Sequence, residues 1–239
     1  MLRRLLVPVV VVLAVMSSAL VGATPAVAAV RPDPVLLVHG FRSSNSGWHA
    51  LEASLRAQGY RDSEIDAVDY DNDASNVDVA HEIARDADAL RARTGASHID
   101  VITHSMGAIS SRYWMDHLGG AAHVDTWVSL AGVNEGTVWA YGCYMLTPCR
   151  EMVPTSSVLD GLLQHVRVGV HATGTTRYGA WWSPCDEAVI PRTNAELPGA
   201  HNVETACLDH TEMRTDPRVL EQVVEFLQTD GLRPSASGV

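Results

Sequence analysis

The sequence predicts an α/β fold, a doubly wound and mostly parallel sheet of about six strands with helices on both faces. Three observations predict it. Short apolar runs alternate along the chain with segments of helical period. The first of them, PVLLV, lacks polar alternation, as a strand buried on both faces does. No internal repeat and no dividing linker interrupts the series, so the successive βα units belong to one sheet.

Pro34 to Val38 (PVLLV) is the first apolar run, a buried strand. A Gly/Ser/Asn loop follows, then a helix over Trp48 to Gln58 in which Trp48, Leu51 and Leu55 recur at helical spacing and Gly59 ends the pattern. Ile65 to Val68 is the second strand. Asn76 to Arg93 is a long helix with Asn76 as its cap and Gly95 closing it. His98 to Thr103 (HIDVIT) is a strand, and Met106 to Leu118 a helix stopped by Gly119 and Gly120. Val124 to Leu130 and His165 to Val170 supply two more strands, Val203 to Thr205 a short last one. Pro217 to Leu227 closes the fold as a helix.

Val133 to Leu163 is the least regular part. It carries two cysteines, Trp139, Tyr141, Tyr144 and Pro148. Such an excursion sits over the carboxyl ends of the strands, where ligands bind. It is either part of a substrate cleft or a disulfide-stapled surface loop.

The 239 residues are 46% hydrophobic and 19% charged, enough for one buried core in a single domain, residues 29–230. Arg3 and Arg4, an apolar run from Leu5 and the small-residue site Ala26-Val27-Ala28 read as a secretory signal peptide over residues 1–28. An uncleaved anchor is the competing reading. Residues 231–239 read as a flexible tail. The expected product is exported. Net charge is −11, every one of the 17 basic residues is Arg, and loss of Arg3 and Arg4 makes the balance −13. With no basic cluster outside the leader, nucleic acid is not an expected partner.

Four cysteines (Cys143, Cys149, Cys185, Cys207) lie in the exported part. They can pair in three ways, and local closeness favours Cys143–Cys149 with Cys185–Cys207. Zinc is the alternative use, but no C-x-x-C or H-x-x-x-H spacing supports it.

Thr103-His104-Ser105-Met106-Gly107 stands between a strand and a helix, the context that gives a G-x-S-x-G-like motif meaning. A nucleophile on such a turn needs small neighbours two residues before and after. Gly107 fits, whereas Thr103 replaces the first glycine. The reading that competes is a serine capping a helix. Leu37-Val38-His39-Gly40-Phe41 adds independent support, because a tetrahedral oxyanion needs two fixed donors. The N–H groups of Phe41 and Met106 are the expected pair. His39, beside Gly40, is expected to orient the turn rather than move protons.

An acid and a base should follow the serine in the order Ser, Asp/Glu, His. Candidate bases are His117, His123, His165, His171, His201 and His210. His210 stands in a loop before the last helix and is preferred, with His201 its rival. Candidate acids are Asp160, Asp186 and Glu187. Asp186 is preferred, in the loop Ser183 to Pro191, and Glu187 is expected to point the opposite way. A Cys185–Cys207 bridge would hold the acid loop against the base loop.

These residues resemble the small bacterial lipases of the minimal α/β-hydrolase type, the lipase class 2 family. The chain is similar in the V-H-G-F strand end, the H-S-M-G elbow, the Asp loop and the terminal His-helix segment, from about Val35 to Leu227. The resemblance implies a six-stranded core without the first two strands of larger relatives, a small or absent lid, and carboxylester hydrolysis. It implies the triad Ser105, Asp186 and His210, with Phe41 and Met106 as oxyanion donors. Some members have Ala where Thr103 stands.

Asp71, Asp73, Ser75 and Glu82 imitate the spacing of a calcium loop, but position six is Asn76 and no helix precedes. A polar βα loop is the preferred reading, so no metal is expected. The leading expectation is a monomeric secreted lipase acting on a lipid or other ester, in transient contact with lipid surfaces and needing no cofactor. Esterase, polyester hydrolase or acyltransferase activity would use the same triad. An inactive extracellular binding module is the reading from another class.

Overall fold

The computed structural model describes residues 32–160 and 176–229. The expected leader, the expected strand His165–Val170 with His165 and His171, and the expected tail lie outside the described residues.

Six parallel strands form one sheet in the order β2-β1-β3-β4-β5-β6. They are β1 (Val35–Val38), β2 (Ile65–Val68), β3 (Ile99–His104), β4 (Val124–Leu130), β5 (Arg177–Trp182) and β6 (His201–Glu204). The helices that lie wholly among the described residues are α1 (His49–Ala57), α2 (Asn76–Thr94), α3 (Gly107–His117), α4 (Thr147–Met152) and α5 (Pro217–Gln228). The described elements alternate as expected, and both faces of the sheet are covered: β1 is apolar throughout, and β3 is buried at every position although it includes Asp100, Thr103 and His104.

The two-residue period of β1 shows how the layers are made. Leu36 and Val38 pack with α2 and α3 residues such as Ile83, Leu90 and Ile109. Val35 and Leu37 face the other layer, with Leu51 and Leu55 of α1 and Val219, Val223 and Leu227 of α5. Each buried aliphatic side chain there stabilises by about 1.5–3 kcal/mol relative to exposure.

Several elements differ from expectation. β3 includes His104, one residue further than the apolar run, and β6 begins at His201. Ser75, not Asn76, caps α2, its side chain accepting from the Val77 N–H. Asn76 is instead turned inward, where its amide oxygen accepts from the Ser110 hydroxyl at 2.6 Å and its Nδ2 donates to Glu151 at 2.9 Å. The sheet position beside β4 is filled by Arg177–Trp182, a sequence with no branched aliphatic residue. Gly179 makes room there, since a Cβ would lie 2.6 Å from the Trp181 ring and 2.9 Å from Phe226.

The excursion after β4 holds a 3-10 helix (Val138–Cys143) and α4, joined by the Cys143–Cys149 disulfide. The second disulfide is Cys185–Cys207, so both pairings favoured by closeness are present. No helix among the described residues is long and apolar enough to cross a membrane.

Candidate active site

Strand β3 delivers Ser105 to the carboxyl edge of the sheet. Ser105 has φ 56°, a left-handed conformation that costs a non-glycine residue of order 1–3 kcal/mol unless neighbours hold it. They do. Its N–H donates to the Leu130 carbonyl at 3.1 Å, and its carbonyl accepts from Ala108 and Val133 at 3.1 and 3.2 Å.

Two glycines make this turn possible. A Cβ on Gly40 would stand 2.6 Å from the Ser105 Cβ, and one on Gly107 would stand 2.5 Å from the Val38 carbonyl oxygen. Thr103 needs no such allowance. Its side chain turns toward β4, where the buried hydroxyl donates to the Val128 carbonyl at 3.0 Å. The departure from the glycine pattern is therefore a packed, satisfied residue outside the crowded side of the turn.

Asp186 lies on the loop after β5 and His210 on the loop between β6 and α5. His210 Nδ1–H donates to Asp186 Oδ2 at 2.8 Å. The other nitrogen, Nε2, is then free to accept from the Ser105 hydroxyl, also at 2.8 Å. Asp186 is buried, and its second oxygen accepts the N–H groups of Ala188 and Val189 at 2.8 and 2.9 Å. The carboxylate is thus fixed as an acceptor on both oxygens.

Phe41 and Met106 flank this serine. Met106 follows it immediately, at the N-terminal end of α3. Phe41 follows Gly40 in a turn closed by Ser43 N–H on the Gly40 carbonyl at 3.2 Å. His39 is fully buried, stacked on Tyr70 at 3.9 Å, and its Nδ1–H donates to the Gly40 carbonyl at 2.9 Å. Burial holds its ring below the usual imidazole range. These contacts fit the turn-orienting role expected of His39.

The remaining candidates among the described residues stand elsewhere. His201 is exposed at the amino end of β6, its ring near Trp181 and Phe226. His117 ends α3 and His123 immediately precedes β4, both away from the carboxyl edge. Asp160 is exposed in the excursion. In the calcium-like loop, Asp71 accepts the N–H of Asp73, an ordinary turn contact. Among the described residues no group of three or more His, Cys, Asp or Glu is disposed to hold a metal ion.

Glu187 differs from expectation. Its carboxylate does not point away from the site; it accepts the main-chain N–H of His210 at 3.1 Å. Three further residues escaped sequence reasoning. Ser183 is a hub, donating to the Leu208 carbonyl at 2.6 Å and accepting from the Leu208 and Cys185 N–H groups. Asn72 and Arg214 brace the Phe41 turn through Ser43. Their only sequence signal is ordinary polarity, because their partners are main-chain atoms or lie far along the chain.

The family model for lipase (class 2) matches residues 32–218. The chain belongs to the class 2 lipase family. Its fold is shared with a Bacillus licheniformis lipase in mature form, at 17% identity and a TM-score of 0.68 over 82% of this chain and 92% of that one. An Aspergillus fumigatus lipase B is similar at 14% identity and a TM-score of 0.65, over 82% of this chain and 52% of that one. A thermophilic esterase from Thermogutta terrifontis matches at 15% identity and a TM-score of 0.56, over 82% and 90%. These likenesses are of fold. Class 2 lipase membership and the α/β-hydrolase architecture place the chain among the carboxylester hydrolases.

Proposed function

We propose that the chain is an exported triacylglycerol lipase working through an acyl-enzyme on Ser105. One observation carries the reading: an unbroken hydrogen-bonded line from Asp186 through His210 to Ser105, with both links at 2.8 Å. Ser105 Oγ attacks the ester carbonyl carbon as its proton passes to His210 Nε2. Asp186 holds the imidazole in the tautomer that can accept this proton and stabilises the imidazolium. The N–H groups of Phe41 and Met106 receive the oxyanion, where a donor of this kind is worth about 2.7–4 kcal/mol. Collapse breaks the C–O bond, and His210 returns the proton to the leaving alkoxide. Water, deprotonated by His210, then attacks the acyl carbon and frees Ser105.

Two disulfides and the leader-like residues 1–28 support export. A fluorophosphonate probe tests the nucleophile: wild type should be labelled and Ser105→Ala should not. Equal labelling of both would remove Ser105 from its role. Rates on p-nitrophenyl esters of rising chain length and on emulsified triglyceride test the substrate. A strict preference for short soluble esters would make the protein an esterase.

A further inference from the structure

The ring of His210 is held by Asp186 and Ser105, but a ring on a loop is only as well placed as the main chain that carries it. Both main-chain polar atoms of His210 are engaged by side chains. The His104 Nε2–H donates to the His210 carbonyl at 2.9 Å, and the Glu187 carboxylate accepts the His210 N–H at 3.1 Å. His104 immediately precedes Ser105, and Glu187 immediately follows Asp186. Each residue that engages the imidazole therefore has a chain neighbour that engages the same histidine's main chain.

Resting on the reading of His210 as the base, we propose that His104 and Glu187 are positioning residues that fix the His210 main chain between the acid loop and the nucleophile turn. His104 is well suited to this. Its ring is buried and lies 4.7 Å from that of His210, tilted by 45°. A carbonyl only accepts, so His104 must carry its proton on Nε2, while Nδ1 is buried with no hydrogen-bond partner among the described residues. A second proton there would be an unsolvated, unpaired charge, and burial, reinforced by His210, pushes the ring well below the usual imidazole range. His104 is thus a constant neutral donor. Glu187 is exposed, so water competes for its bond and its share of the effect is smaller.

Misplacing a catalytic group by about 1 Å can cost about 100-fold in rate. Steady-state kinetics on p-nitrophenyl butyrate, with melting temperatures, test the proposal in the protein and its variants. His104→Leu should lower kcat by about 10- to 100-fold with KM within about twofold, because the substrate still binds. Gln places an amide N–H near the position of the imidazole Nε2, so His104→Gln should recover kcat to within about threefold. Glu187→Ala should cost about 3- to 10-fold in kcat, and Glu187→Gln, which retains an acceptor oxygen, should lose less than Ala.

Unchanged kcat in both His104→Leu and Glu187→Ala would overturn the proposal. So would Gln variants as impaired as their Leu or Ala counterparts, which would mark a packing role alone. Should His104→Leu fail to fold, the Glu187 pair decides on the same criteria. His210→Ala separates this proposal from the reading beneath it. Wild-type turnover in that variant would remove His210 as the base and the proposal with it. Lost turnover there, beside intact His104 and Glu187 variants, would overturn the positioning role alone.

Discussion

Cys185 and Cys207 tie the loop carrying Asp186 to the loop carrying His210, their Cα atoms 5.0 Å apart and 22 residues separated in sequence. The bridge sits one residue from Asp186 and three from His210. A link of this span stabilises by about 2–4 kcal/mol, mainly by restricting the unfolded chain. Cys185→Ser with Cys207→Ser should lower the melting temperature and reduce kcat more than it raises KM. Chemical denaturation and kinetics on the same preparation would check this. A large loss of stability with kcat intact would assign the bridge to the fold and not to loop alignment.

Gly40 and Gly107 are predicted to fail in different ways. A Cβ on Gly40 meets the Ser105 side chain at 2.6 Å, so Gly40→Ala should displace the hydroxyl and lower kcat by about 100-fold. A Cβ on Gly107 meets the Val38 and His39 carbonyl oxygens at 2.5 and 2.6 Å. That is overpacking against main chain, and Gly107→Ala should cost about 1–3 kcal/mol of stability as well as activity. Equal activity of Gly40→Ala and wild type would contradict the close approach.

Thr103 tests the opposite expectation. Because its side chain faces β4, Thr103→Ala should leave kcat within about twofold while losing about 0.5–1.5 kcal/mol from the bond to Val128. Urea melts and a single substrate titration suffice. A collapse of kcat with stability unchanged would put Thr103 on the crowded side of the turn.

Stability should fall in mild acid. His39 and His104 are both held below the usual imidazole range by burial, so on acidification the unfolded chain takes up their protons first. Below about pH 6.5 the unfolded state then binds more protons, and unfolding free energy rises with pH; the stabilisation is complete above that value and lost toward the folded pKa values. His104→Gln removes one of the two groups. Urea midpoints at about pH 7.5, 6.5 and 5.5 should show a shallower fall in this variant than in wild type. Parallel curves would reject the assignment.

The strand-and-helix alternation was legible because β1 is apolar throughout, β3 and β4 carry Val101-Ile102 and Trp127-Val128 at their centres, and α5 opens with Asp216-Pro217, where the Asp216 carboxylate accepts from Arg218 and Val219. Ser105, Asp186 and His210 stood out because a serine, an acid and a histidine follow the chain order expected of a triad, around a recognisable turn. Arg177–Trp182 was hidden by its composition: two tryptophans, a tyrosine and a glycine do not read as a buried parallel strand until Phe226 and the neighbouring ring fill the space over Gly179. Ser183, Glu187 and the role of His104 were hidden for another reason. Their partners are main-chain atoms of residues about 23 to 106 positions away, and such pairings leave no side-chain pattern to read.

The hydroxyl of Thr137 donates to the Ala188 carbonyl at 2.6 Å and accepts the Ile190 N–H at 3.0 Å, and the Val138 N–H reaches the Ile190 carbonyl at 2.9 Å. The excursion and the acid loop are therefore a single module, not two neighbouring loops. Exchanging the excursion for that of a relative, to reshape what the enzyme accepts, would leave the Asp186 loop without its fasteners. A working chimera has to inherit both segments together.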